Sequence, residues 1–141
     1  MMTIEITTWD IAKDLVKPIR YEVFVKAQSI PEEEEWDSLD SLAWHAVLKI
    51  NGIAVGTGRL IINGQKARIG RMAVDAQHRG RGFGKAILSQ LIETGKEKGV
   101  EEFILHAQLH ATAFYAQSGF EPYGTIFDEV GIDHMAMRLA V

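Results

Sequence analysis

The chain contains no cysteine. That absence removes disulfides, thiolate metal sites and cysteine nucleophiles from consideration. Proline is scarce, with only Pro18, Pro31 and Pro122, so no proline-rich linker divides the 141 residues. No run approaches the ~20 uncharged apolar residues of a membrane-spanning helix. Met1 to Asp10 has no apolar stretch behind a basic start, which argues against a signal peptide. Excess positive charge is also missing. Against 15 Lys and Arg stand 19 Asp and Glu, a formal net charge of −4, so no global attraction to nucleic acid is expected. What remains is 47% apolar and 24% charged residues, the balance of an ordinary folded domain, read as one unit over residues 1–141.

The segments have a readable order. Asp10 suits a helix N-cap. Ile11, Leu15, Ile19 and Val23 then repeat at helical spacing, with Pro18 predicting a kink or a division. An acidic stretch, Pro31 to Asp40, follows. Three strand-like runs, His45–Ile50, Ile53–Ile62 and Gln65–Val74, are separated by Asn51-Gly52 and Asn63-Gly64. Asn-Gly between apolar runs is a strong hairpin signal, so the middle of the chain reads as an antiparallel meander. Phe83, Ile87, Leu88, Leu91 and Ile92 line one helical face, and Gly99 suits its C-terminal stop. A short strand (Phe103–Ala107), a short helix carrying Ala111, Phe114 and Tyr115, and strands over Tyr123–Phe127 and His134–Leu139 complete the chain. The pattern predicts an α+β fold, one mixed sheet with helices on its faces.

The richest segment is Asp75-Ala-Gln-His-Arg-Gly-Arg-Gly-Phe-Gly-Lys-Ala86. A strand enters it and an amphipathic helix leaves it. Gly80, Gly82 and Gly84 let backbone approach a ligand, and a helix N-terminus offers unpaired N–H groups to an anion. His78, Arg79, Arg81 and Lys85 add local positive charge. The segment therefore reads as a pyrophosphate cradle. It is not a P-loop: Arg79 stands where the first glycine belongs, and Ala86 replaces the Ser or Thr that would hold magnesium. Neither glycine register satisfies G-x-G-x-x-G, and the preceding strand belongs to a hairpin rather than a βαβ unit.

Arg79, Gly82 and Gly84 do satisfy R/Q-x-x-G-x-G/A. Downstream, Gln108, Ala111, Phe114 and Tyr115, then Gly119-Phe120, follow the pattern N-x-x-A-x-x-[FL]-Y with glutamine for asparagine. Together these motifs resemble the two signatures of the GNAT superfamily of N-acetyltransferases. Tyr21-Glu-Val-Phe-Val25, Glu35-Trp-Asp37, Asp40, His45, Asp128 to His134 and Met137 extend the resemblance to its ElaA/YjcF-like branch.

The resemblance implies a GNAT fold with a central, mostly antiparallel twisted sheet flanked by helices. It implies a cytoplasmic enzyme that moves an acetyl group from acetyl-CoA to a small-molecule or peptide amine by direct attack. Met72, Ala73 and Val74 would run beside the pantetheine. Arg79, Gly80, Arg81, Gly82, Phe83, Gly84 and Lys85 would hold the pyrophosphate. Gln108 and Phe114 would complete the cofactor side, with Tyr115 reprotonating the departing thiolate. Glu35, Asp37, His45, His106 and His134 are the candidates for meeting the acceptor or taking its proton. The acidic stretch, flanked by Trp36 and Trp44, reads either as a solvated loop or as a lid attracting a cationic amine. No metal site, nucleic-acid partner or membrane partner is expected, and the family permits a homodimer. The rival readings are a coenzyme-binding regulatory module without turnover, or transfer from a different acyl-CoA.

Overall fold

A computed structural model describes residues 1–141. The chain runs β1 (Met2–Thr8), α1 (Trp9–Arg20), a π-helical segment (Tyr21–Ala27), α2 (Glu32–Glu35), β2 (Trp44–Ile50), β3 (Ile53–Asn63) and β4 (Lys66–Val74). It continues with α3 (Phe83–Glu97), β5 (Glu102–Gln108), α4 (Thr112–Ala116), β6 (Glu121–Glu129) and β7 (Ile132–Ala140). The seven strands form one sheet in the order β1-β2-β3-β4-β5-β7-β6. Every neighbouring pair is antiparallel except β4 with β5.

Turn chemistry sets the central register. Asn51 and Gly52 take φ of +50° and +84° between paired Ile50 and Ile53, the backbone of a type I′ hairpin. Helix α3 crosses the sheet with Ile87, Leu88 and Leu91 fully buried, as its apolar spacing predicts. It lies close because β3 offers a bare backbone there. A Cβ on Gly58 would stand 2.8 Å from Leu91 Cδ1 and 2.7 Å from Met72 Sδ. At its far end the Val100 and Gly99 amides donate to the Gly95 and Lys96 carbonyls, 2.9 and 3.1 Å. With Gly99 at φ +89° this is a Schellman stop.

Three expectations about the N-terminal region change. Strand β1, absent from the expected elements although Met2, Ile4 and Ile6 alternate with polar residues, pairs along its whole length with β2. The N-cap of α1 is Thr8, and Asp10 lies inside the first turn, where its carboxylate still faces the positive helix end. The predicted stripe holds at Ile19 and Val23 but fails at its start: Ile11 is 61% exposed and Leu15 is exposed, while Ala12 and Val16 are buried in their place. The small Ala12 lets the helix settle on Val47 of β2, and that close approach outweighs the larger side chains one position away. The chain passes Pro18 inside α1 and goes on into the π-helical segment without a break.

One irregularity positions everything that follows. Thr57 faces Ala73 and Arg59 faces Gly70, so Arg71 and Met72 together oppose Gly58. This β-bulge bends β4, with Arg71 at φ +51°. Strands β4 and β5 pair only from Lys66 with Glu102 to Ile69 with Leu105. Beyond that point they part, and a cleft opens between them.

Candidate active site

The cleft has a volume of about 670 Å³. Gly70–Val74 form one wall, and His106 and Gln108 the other. The far edge of β4 has no strand partner here. Asp75 donates to the Val55 carbonyl on the β3 side, 2.8 Å, so by strand alternation the Val74 peptide groups face the cleft. Arg79 Nε donates to the Val74 carbonyl, 3.2 Å, which ties the glycine loop to this edge and leaves the Val74 amide free.

At one end lie His78, Arg79, Gly80, Gly82, Phe83, Gly84 and Lys85. Gly80 and Gly82 have φ of +78° and +81°, and nothing stands within 4 Å of where a Cβ would project from either. Gly82 is also the N-cap of α3, so the amides of the first helical turn are unpaired. His78 Nδ1 is buried without a hydrogen-bond partner. Open backbone, unspent donors and basic side chains suit a diphosphate. Arg81 does not line the cleft.

The second motif closes the rim. Phe114 and Tyr115 stand edge to face, centroids 5.0 Å apart. A Cβ on Gly84 would come within 3.3 Å of Phe114 Cζ, so Gly84 lets the two motifs touch. The Tyr115 hydroxyl has no protein partner, and burial pushes its pKa up to about 12. It is therefore a protonated phenol at neutral pH. Gln108 lines the cleft, but its side chain exchanges two amide hydrogen bonds with Gln28, 2.8 and 3.1 Å. A primary amide keeps one N–H and one lone pair beyond such a pair.

The remaining candidates separate. Glu35 lines the cleft yet is 2% exposed, held by Arg20 Nε at 2.6 Å and Arg71 Nε at 3.2 Å. Burial raises its pKa, against the pull of Arg20 and Arg71. Asp37 is spent on Arg59 at 2.8 Å and Arg71 at 3.2 Å and does not line the cleft. Asp40 takes Arg20 and Arg59 at 2.8 and 3.0 Å. Trp9 and Trp36 flank Arg20, 5.5 and 5.1 Å from its guanidinium. The end of the acidic stretch is thus a neutralised three-carboxylate, three-arginine cluster, not a lid of free charge. His45 is also displaced from its expected place. It is buried against Trp9, 4.8 Å between centroids, bonds the Asp40 carbonyl, and does not reach the cleft. Burial lowers its pKa, so it is neutral and structural.

His106 and His134 do line the cleft. Both surround a residue that sequence reading passed over, Glu129. His106 Nδ1 is 2.9 Å from Glu129 Oε1 and His134 Nε2 is 3.6 Å from Oε2. Burial would raise the Glu129 pKa, but the hydrogen bond from His106 and the charges of His106, His134 and Arg68 hold it down. Arg68 and Arg71 were missed as well. Both lie on β4; the alternation of Arg68 with buried Ala67 and Ile69 was an available signal, whereas Arg71 falls on the buried parity and is re-aimed only by the bulge.

The forked sheet, with an open glycine loop at one end and the half-buried Tyr115 on its rim, has the fold of an acyl-coenzyme A transferase. The chain belongs to the acetyltransferase (GNAT) domain family, whose model matches residues 10–141. It is 35% identical over 120 residues to the uncharacterised N-acetyltransferase YjcF of Bacillus subtilis, covering 84% of this chain and 86% of that protein. An acyl-CoA N-acyltransferase from Pseudomonas aeruginosa superposes with a TM-score of 0.85 at 26% identity, covering 99% of each chain. Escherichia coli ElaA shares the fold with a TM-score of 0.88 at 24% identity, over 98% of this chain and 99% of that one. No helix is long and apolar enough to cross a membrane.

Proposed function

We propose that this chain is an acetyl-CoA-dependent N-acetyltransferase acting on a primary amine by direct attack. The observation that carries this reading is the fork of β4 and β5. It supplies an unpaired backbone edge between a diphosphate cradle and a half-buried phenol. Bound acetyl-CoA supplies an activated acetyl thioester. Backbone of Met72, Ala73 and Val74 lies along its pantetheine, and the free Val74 amide is available to polarise a carbonyl oxygen in the oxyanion manner. Arg79, Lys85 and the amides from Gly80 to Lys85 hold the diphosphate. Gln108 and Phe114 flank the cofactor, the first through the donor and acceptor that Gln28 leaves free.

Tyr115 gives its proton to the departing sulfur. A phenol near 12 and a thiol near the ordinary ~8.5 are mismatched in water. Burial in the same cleft raises the thiol as well, since desolvation disfavours the thiolate. The acceptor enters from the opposite mouth, past Arg68, His106 and Glu129.

Isothermal calorimetry with acetyl-CoA and longer acyl-CoA esters tests the cofactor. Free-thiol release with spermidine, glucosamine, kanamycin and a lysine-containing peptide tests turnover. Tight binding with no thiol release from any acceptor would favour the regulatory coenzyme-binding module instead.

A further inference from the structure

We propose that His106 is the base that takes the acceptor's proton, with Glu129 as the residue that positions it. This rests on the acetyltransferase reading above and adds the group which that reading leaves unnamed.

A protonated amine, ordinarily near pKa ~10, has no lone pair with which to attack. Some group on the acceptor side must take its proton. Glu35 and the other acidic candidates are already paired with arginines, as described above. His134 is 5% exposed, its Nδ1–H donating to the Ile132 carbonyl at 2.7 Å. His106 differs. Its side chain is 27% exposed and it lines the cleft.

The ring's protons are set by its surroundings. Glu129 Oε1 and Arg68 Nη2 both lie 2.9 Å from His106 Nδ1. One nitrogen cannot donate to the carboxylate and accept from the guanidinium together. A carboxylate can only accept and a guanidinium can only donate, so one contact yields; we assign the proton to Nδ1, donated to Glu129, with Arg68 turned from the ring. Arg68 then pairs with Glu129 Oε1 itself, 3.8 Å away. Nε2 is left with a lone pair. A ring whose one nitrogen is anchored by a carboxylate, leaving the other to accept, is the working geometry of a histidine base. Phe127 fixes the ring plane edge to face, centroids 5.0 Å apart. The charged groups around His106 are Arg68 from β4, Glu129 from β6 and His134 from β7. Glu35 and Arg71 line the same cleft.

The step balances as follows. Nε2 accepts a proton from the acceptor ammonium, freeing the nitrogen lone pair. A C–N bond forms to the acetyl carbon and the C–S bond breaks. The sulfur takes the Tyr115 proton, and the nitrogen's surplus proton returns to the phenolate. His106 releases its proton to water, the one proton the overall reaction sheds.

Two measurements test the assignment. Nitrogen-15 NMR of the histidine rings in the full chain should show His106 as the Nδ1–H form, and Glu129→Gln should shift its tautomer balance. An Nε2–H ring in the unaltered protein overturns the proposal whatever the activity. Kinetics with whichever acceptor of the panel turns over should show His106→Gln lowering kcat by ~10²–10⁴. The KM for acetyl-CoA should hold, and the acid limb of the pH profile should vanish. Turnover with an unchanged acid limb in His106→Gln overturns this assignment alone. Acetyl-CoA binding without transfer to any acceptor overturns the enzyme reading and this one with it.

Discussion

Gln28 and Gln108 lie 80 positions apart in the chain and face each other across the cleft, exchanging a hydrogen bond in each direction. The pair fastens the end of the first helical stretch to the strand that forms the opposite wall. Replacing either with leucine strands a partly buried amide, at a cost of ~1–3 kcal/mol. Replacing both with leucine should cost less than the two single changes added together. A double-mutant cycle by urea unfolding measures the coupling; strict additivity would mean that the pair contributes nothing.

Gly82 is the sharpest test of the cradle. Gly82→Asp forces a side chain into φ +81°, a strain of ~1–2 kcal/mol. It also puts negative charge where the diphosphate is proposed to sit. Gly82→Ala carries the strain without the charge. Calorimetry should show acetyl-CoA binding abolished in the first and only weakened in the second, with both proteins folded. Equal binding in all three would remove the loop from the cofactor site.

Tyr115→Phe should reduce kcat by ~10²–10⁴ if it is the proton donor, while acetyl-CoA affinity stays close to that of the unaltered chain. With its pKa near 12, Tyr115 should contribute no alkaline limb to the rate below pH 10. A change in kcat under threefold would leave the phenol a packing residue.

The buried charge cluster predicts an acid-sensitive fold. Burial pushes the Asp40 carboxyl up, but hydrogen bonds and charges from Arg20 and Arg59 outweigh it, holding the group below its ordinary 3.8. A depressed folded pKa stabilises the protein above the unfolded value, and that stabilisation drains away as pH falls through the folded one. Asp40→Asn should therefore lower stability at pH 6 by ~3–5 kcal/mol, since it breaks a buried pair. It should also flatten the decline below pH 4. Glu35 has the opposite sign: its raised pKa favours the folded state as pH falls, so Glu35→Gln should steepen the acid decline. Urea midpoints across pH decide both. Glu35→Gln with Asp37→Asn is accordingly expected to act on stability before it acts on any acceptor's KM.

Val130 is a β-branched residue at φ +48°, in a two-residue turn with Gly131 at φ +79° between paired Glu129 and Ile132. Left-handed backbone is costly for such a residue. Val130→Asn should stabilise the protein by ~1 kcal/mol, a rise of ~2–5 °C in Tm. An unchanged Tm would show that the turn carries no strain.

Legibility followed the range of the interactions. The hairpins, α3, the glycine loop and the Gln108–Tyr115 segment are written in neighbouring residues, and the element boundaries fell within a few positions. Strand β1 is held by pairing with β2, from Thr8 with Trp44 to Met2 with Ile50, and its alternation of Met2, Ile4 and Ile6 is too short and half-exposed to stand out. The stripe on α1 misled at Ile11 and Leu15 because Ala12 and Val16 are the residues that pack on Val47. The arginines failed for a related reason. Arg20, Arg59 and Arg71 look like surface residues until folding carries Glu35, Asp37 and Asp40 to them. His106 was visible as a histidine, but its partner Glu129 is reached only through the β5-β7-β6 order.

The bulge at Arg71 makes the two sides of the cleft separable over evolutionary time. Under the proposed function, the coenzyme side comes from two unbroken stretches, Met72 to Lys85 and Gln108 to Tyr115, which cannot drift piecemeal without losing the cradle. Under the same proposal, the acceptor side comes from solitary residues on separate strands and from the two-residue turn at Val130. Lengthening that turn, or exchanging Arg68 alone, would redraw what enters the mouth while the coenzyme track stayed intact. A lineage carrying this fold could therefore change its acceptor in single mutational steps and never pass through a form unable to bind its coenzyme.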